Sequence, residues 1–374
     1  MLRYKQRDAI IYMATTKHLQ ISNLLERRIL KGDYAKTGIP AERELAEEIG
    51  VSRVTLRKAL DELGRKGLVE RSPNRRLALA PVVDSKKFGP EVAFLTPSIA
   101  PDSFSPDLQQ WLAMAEHVAR QQRARIRVLN YQHWDDPVVT ESLRSYDGVL
   151  LVTSAEPIPA YTSKLLAQAN GLVVLSENLT HLEIPSVVLF PPRCIRTMLD
   201  RLRQQGHRRI DCLNVQGHNT ITQARIDEWI AWLRENGCEG RLFDEPCPGD
   251  ASIFEAGIKS AGKWLRKAVG ETTAVMCVTL PGALGAMRVA HDMGLEIGKD
   301  LSVCTVDSEG LGRFLCPSIT SFERPDAQPY LTTCFDWIKS GGRKSDWNRE
   351  LLIEPRTLRL FQGESSGPPV ASRK

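Results

Sequence analysis

The sequence predicts an α/β protein in two unequal parts. A small unit of three helices closed by a β-hairpin comes first, and a two-lobed, doubly wound parallel-sheet region follows. Three observations carry this. Apolar residues recur at helical spacing up to Leu63. From Val92 onward, short unalternated apolar runs alternate with amphipathic segments, the pattern of parallel strands covered on both faces by helices. This second pattern runs for about 270 residues, more than one usual sheet, so two lobes with a cleft between them are expected.

The elements follow in order. Ile21, Leu24, Leu25 and Ile29 give a first helix one apolar face, and Gly32 closes it. Pro40 opens a second helix that carries Leu45, Ala46 and Ile49 on one face and ends at Gly50. Ser52 caps a third, with Leu56, Ala59, Leu60 and Leu63 at i, i+3, i+4 and i+7. "LVER" and "LALA" after Gly67 read as two short strands joined by a type I turn at "SPNR". "VAFLT", "IRVLN", "GVLLV", "GLVVLS", "SVVLF", "RIDCLNV", "AVMCVT" and "LSVCTVD" read as strands of the second part. Helices are expected near 106–122, 159–169, 193–205, 222–236, 254–268, 282–293 and 326–339.

The expected organisation is an N-terminal extension (1–15), a helical unit closed by a hairpin (16–80), a linker (81–90), a two-lobed domain (91–362) and a disordered tail (363–374). The break between the lobes is expected near 190–207. The linker holds two prolines, a glycine and charges without any period.

Composition is that of an ordinary globular chain, 42% hydrophobic and 25% charged. No stretch approaches the ~20 apolar residues of a membrane helix. The first twenty residues hold no sustained apolar core of a secretory signal, so a cytoplasmic protein is expected. The eight cysteines form no CxxC pair and read as buried, reduced thiols. Charge is uneven. Residues 1–80 hold 17 Lys and Arg against 10 Asp and Glu, while the remainder holds 33 against 35. The whole positive excess sits in the first fifth, which points to an anionic polymer as its partner.

The second and third helices, joined by a Gly-Val-Ser turn, make a helix-turn-helix. Arg53 and Arg57 are four residues apart on the outward face of its third helix, placed to reach guanine edges. Ser52 and Thr55 offer hydroxyls to phosphates. Arg43 sits in the first turn of the second helix, where side chain and amides can both face phosphate. Asn74, Arg75 and Arg76 form the tip of a wing that can enter a minor groove or track phosphates. The bland alternative is a packing module with solvated arginines. The turn, the spacing, the wing and the local charge together speak against it.

The string "TKHLQISNLLERRILKGDY…IPAERELAEEIGVSRVTLRKALDELGRKGLVER" resembles the winged-helix headpiece of the GntR family of bacterial regulators. The resemblance implies that Arg43, Arg53 and Arg57 contact DNA, with Ser52 and Thr55 helping. The wing departs from the family's Gly-x-Gly tip, reading "SPNRRLALA".

The second part resembles the effector-binding domain of the LacI/GalR family, a periplasmic-binding-protein-like fold. "YDGVLLV", "LRQQGHRRIDCLNV", "ARIDEWIAWLRENG", "AVMCVTLPGALGAMRVAHDMGLEIGKDLSVCTVD" and "CPSITSFERP" carry it. The resemblance implies that Arg225 binds ligand hydroxyls or a carboxylate, and that Asp307 lines or braces the cleft. Where the family has an acidic acceptor after the "AVMCVT" strand, this chain has Leu280. Asn178 follows a strand end, where ligands bind in open α/β sheets. It also suits turn chemistry. Trp229 and Trp232 read as core. Leu280 points to a ligand with fewer hydroxyls than an ordinary sugar, or with an anionic group.

The sequence holds no P-loop, no HExxH and no GxSxG, and its seven histidines are dispersed. No cofactor, metal or catalytic constellation is expected. The reading is a cytoplasmic, dimeric transcriptional regulator, with repression expected ahead of activation. Its partners are a double-stranded DNA operator and a small-molecule effector, a sugar or related metabolite, with no membrane. A solute-binding protein with a helical cap and an enzyme using the cleft are the alternatives.

Overall fold

The computed structural model describes residues 17–31, 34, 38–71, 77–79, 89–98, 105–154, 156–247, 251–268 and 270–369. The extension, most of the linker and the wing tip with Asn74, Arg75 and Arg76 lie outside the described residues.

The headpiece comprises α1 (Lys17–Lys31), α2 (Glu42–Ile49), α3 (Arg53–Arg65) and the antiparallel strands β1 (Val69–Arg71) and β2 (Leu77–Leu79). Its core is the apolar stripe of each helix: Leu24 and Leu25 of α1, Leu45 and Ile49 of α2, and Leu56, Ala59, Leu60 and Leu63 of α3. Gly50 ends α2 at φ 72, a left-handed conformation that glycine adopts without steric cost. Two residues later Ser52 caps α3, its hydroxyl accepting from the Thr55 amide at 3.2 Å.

The N-terminal lobe runs through β3 (Glu91–Pro97), α4 (Pro106–Gln121), β4 (Arg125–Tyr131), α5 (Pro137–Ser145), β5 (Gly148–Val152), α6 (Ala160–Gln168), β6 (Leu172–Leu175) and β7 (Ser186–Val187). The C-terminal lobe continues with α7 (Cys194–Gln204), β8 (Ile210–Asn214), α8 (Thr220–Asn236), β9 (Leu242–Asp244), α9 (Ile253–Ala268), β10 (Ala274–Cys277), α10 (Leu280–Asp292), β11 (Ser302–Asp307) and β12 (Thr320–Phe322). The chain then returns to the first lobe with α11 (Gln328–Lys339) and β13 (Leu352–Ile353), and goes back to the second with β14 (Leu360–Phe361).

The first sheet has the order β13-β7-β6-β5-β3-β4, with all pairs parallel. The second has the order β14-β12-β11-β10-β8-β9, parallel except for the β12–β14 edge pair. In each lobe the first strand is flanked by the second and third. The direction of winding reverses there, and a crevice opens at the carboxyl ends. Val92, Phe94, Cys212 and Met276 are wholly buried, as strands covered on both sides require. Trp229 and Trp232 belong to the same core.

Two expectations are corrected. Residues 137–145 form a helix that the apolar-run pattern did not reveal. It is introduced by Asp136, whose carboxylate accepts from the Val138 amide at 3.1 Å, and by Pro137 at its first position. Residues 363–369 of the expected tail are ordered. Ser365 Oγ donates to the Val303 carbonyl at 2.6 Å, and the Gly367 amide donates to Ser302 Oγ at 3.1 Å. Its small polar residues lie along the second sheet and satisfy buried backbone groups there. Low hydrophobicity therefore misled the reading. The first crossing between lobes falls between Val187 and Cys194.

Candidate DNA-reading helix and interlobe cleft

The outward face of α3 begins with Ser52, Arg53 and Val54 and continues with Arg57 and Lys58, all exposed. Ser52 Oγ and Thr55 Oγ1 lie 2.8 Å apart, so both hydroxyls help hold the first turn. Arg57 Nη2 donates to Glu42 at 3.0 Å, and Arg43 Nε donates to Glu47 at 3.1 Å. These are exposed ion pairs, each worth only ~0.2–1 kcal/mol, and a phosphate or a base edge can displace them at little cost. Arg53, at the first position of α3, presents its side chain to solvent. Sequence reading missed Val54, which is 68% exposed between the arginines. An exposed apolar side chain at the start of such a helix is chemically suited to a thymine methyl. Its signal was present, since it is the one apolar residue of that turn outside the core spacing.

The cleft between the lobes encloses about 210 Å³, smaller than the ~300–1,000 Å³ of most ligand pockets. Its lining comes from the carboxyl ends of strands in both sheets, including Asp107, Ser176, Asn219, Arg225, Leu280, Asp307 and Glu309. Three of the four predicted ligand residues are thus brought together. Asn178 is not among the lining residues. Its side chain accepts from the Thr180 amide at 3.1 Å and hydroxyl at 2.8 Å, building a turn.

Arg225 projects from α8. Its Nη1 donates to the Val278 carbonyl at 3.1 Å and its Nη2 to the Phe190 carbonyl at 3.3 Å, while its buried Nε has no partner. Two of its nitrogens therefore hold main chain in place. Leu280 is buried and opens α10, where it forms an apolar wall. Asp307 ends β11. Burial and the neighbouring Asp107 push its carboxyl up to about 6.

In the cleft, sequence reading missed two charged residues, Arg324 and Glu309, and the polar groups around them. Arg324 pairs with Asp107 and lies 5.2 Å from the Trp111 ring. The Trp111 indole donates to Ser176 Oγ at 2.8 Å. Glu309 follows Asp307 by two residues. Burial, then Asp307 and Asp107, raise its carboxyl to about 8, and its buried Oε2 has no partner. Ser176 and Glu309 both hold positive φ, 63 and 51. Such strain in non-glycine residues persists only where the surroundings impose it. Gln110 Nε2 of α4 donates to the Glu309 carbonyl at 2.7 Å, which ties the loop to the opposite lobe. At the mouth, buried Glu177 accepts from the Thr220 amide at 2.9 Å and from its hydroxyl, a second tie across the cleft.

Elsewhere the polar histidines are structural. His207 is buried among Thr273, Ser302 and the Gly367 carbonyl, and His218 faces Asp244 at 2.8 Å. Among the described residues no three His, Cys, Asp or Glu side chains are grouped to hold a metal. No helix of the described residues is long and apolar enough to cross a membrane.

Comparison with known proteins agrees with both parts. Residues 17–78 match the model for bacterial regulatory proteins of the gntR family, and residues 199–328 match the periplasmic binding protein-like domain. The chain is 30% identical over 195 residues to the HTH-type transcriptional repressor CytR of Escherichia coli K12, which covers 51% of this chain and 54% of that one. It spans about half the length of the curated relatives it matches. A LacI family transcriptional regulator from Mycobacterium smegmatis superimposes with a TM-score of 0.59 at 18% identity, covering 75% of this chain and all of that one. The lac repressor dimer bound to operator and the anti-inducer ONPF gives the same TM-score and identity, covering 75% of this chain and 95% of that one. The chain therefore carries a segment that matches the gntR-family regulators and a second that matches the periplasmic binding protein-like domain, and its two-lobed part shares the fold of LacI-family structures.

Proposed function

We propose that this protein is a cytoplasmic, sequence-specific transcriptional regulator, a repressor by analogy with its relatives, that releases or grips DNA as a small molecule enters its interlobe cleft. One observation carries the reading. A capped helix with an exposed Arg53–Val54–Arg57 face stands on the same chain as a polar cleft between two lobes. Arg53 and Arg57 read base edges, and Arg43, Ser52 and Thr55 meet phosphates. Asn74, Arg75 and Arg76 add contacts to phosphates or the minor groove. A dimer places two such helices on half-sites about 34–36 Å apart. The lac repressor dimer, similar in fold, is described with both operator and a small molecule. The effector, a sugar or related metabolite, works through its different affinity for the open and closed arrangements of the lobes. Arg225, Asp307 and Leu280 form part of its site. No enzymatic step is assigned to the cleft.

The test is selection of duplex DNA from a random pool by the purified protein at two salt concentrations. Enrichment of a near-palindromic site whose affinity falls steeply with salt supports the reading. Weak, uniform binding to every sequence overturns it.

A further inference from the structure

The cleft holds more carboxyl groups than guanidiniums, and one of them, Glu309, keeps its proton near neutrality. Asp107, Asp307 and Glu309 face Arg225 and Arg324, with the buried Cys194 behind Arg225. Arg324 is already paired with Asp107, and Arg225 commits both terminal nitrogens to main-chain carbonyls. Each guanidinium is thus already partly committed within the protein. Three helices also begin at the cleft, and a helix N-terminus favours negative charge. Two of these ends are already answered. Asp107 stands in the first turn of α4, and Glu177 takes the Thr220 amide of α8. The third, α10, loses a donor to Pro281 at its second position. Two buried carboxyl oxygens beside the cleft have no partner, Glu177 Oε2 at its mouth and Glu309 Oε2 in its lining.

We propose that the effector is a small cationic metabolite. Its protonated amine or amidine seats against Glu309, and its neutral polar groups face Asn219, Gln216 and the free Nε of Arg225. This rests on the cleft being the effector site, and it replaces the anionic ligand that Leu280 suggested. The acidic acceptor missing at Leu280 is supplied instead from Glu309 and Asp107, on other elements. The cleft volume of about 210 Å³ suits a molecule of monosaccharide size. Glu309 is raised to about 8 in the absence of ligand, so cation binding at pH 7 expels its proton.

The experiment is calorimetry on the full chain with sets matched in shape. D-glucose, D-glucosamine and D-glucose 6-phosphate form one set, their galactose counterparts a second, and agmatine and putrescine serve as acyclic cations. At least one amine is expected to bind about tenfold or more tightly than its neutral partner, and the phosphates least of all. The binding heat is expected to vary with the ionisation enthalpy of the buffer, and Glu309→Gln removes both effects. Tightest binding by a neutral or phosphorylated member overturns the proposal, as does silence from every amine or a preference unchanged in Glu309→Gln. A separate arm tests the cleft itself. If a small-molecule extract of cells alters DNA affinity equally in the wild type and in Arg225→Ala, the cleft is not the sensor.

Discussion

Replacing Glu309 by Gln removes an ionisable group from the cleft while nearly preserving its shape, so the pH dependence of the effect on stability isolates the electrostatics argued above. The Glu309 carboxyl is raised from 4.5 to about 8 by burial and by Asp307 and Asp107. The folded protein therefore holds a proton that the unfolded chain has already released between those values. Stability from this group is greatest below about pH 4.5 and is lost as pH rises towards 8. At ~1.4 kcal/mol per pH unit the upper limit is about 5 kcal/mol. The side chain borders a cleft that admits water, and screening reduces the expected difference to about 2–3 kcal/mol. Glu309→Gln should match the wild type at pH 5 and exceed it by that amount at pH 9. Taking the variant minus the wild type cancels every other titrating group except those coupled to Glu309, chiefly Asp307, which is itself raised to about 6. The assay is urea unfolding followed by tryptophan fluorescence. All seven tryptophans lie between Trp111 and Trp347, so the signal reports the two-lobed domain and ignores the headpiece. Parallel pH profiles for the two proteins from pH 5 to 9 would refute the reasoning, because Glu309 would then be an ordinary solvated carboxylate.

Three further outcomes are expected. Arg53→Ala or Arg57→Ala should cost ~1–3 kcal/mol at a selected DNA site and relax its specificity, whereas Arg43→Ala should weaken all sequences evenly; titrations against selected and random duplexes separate the two. Ser52→Ala removes the cap that holds the Thr55 amide and should lower headpiece stability by ~1 kcal/mol, read as accelerated amide exchange in residues 53–60. Thr220→Val removes the hydroxyl that meets buried Glu177; at ~1.5–3 kcal/mol for a hydrogen bond to a charged group, the lobes should part more readily, giving a larger radius of gyration in solution scattering, and an unchanged radius would deny that this contact ties them.

The headpiece was the most legible part. Its three helices are set by apolar spacing, by Gly50 and by the Ser52 cap, all of them interactions within a few residues. Strands buried on both faces announce themselves as apolar runs, so β3, β5, β6, β8, β10 and β11 were visible. The short edge strands β9, β13 and β14 were not, because two or three half-exposed residues at a sheet margin carry no period. The helix 137–145 was hidden for a related reason: its buried face includes Glu141, Ser142 and Ser145, which read as polar.

The sequence by itself determined the class of each part and the residues that α3 shows to solvent, because helical and strand periods are local properties of the chain. It also marked Arg225 and Asp307, through resemblance. Only the tertiary structure decided the character of the cleft. Asp107, Glu309 and Arg324 come from separate elements across both lobes. They meet because the winding of each sheet reverses beside its first strand and brings distant strand ends to one crevice. Burial there changes the chemistry. A glutamate that would be an ordinary solvated acid on an open loop becomes, beside two other carboxylates and out of water, a group that holds its proton near neutrality.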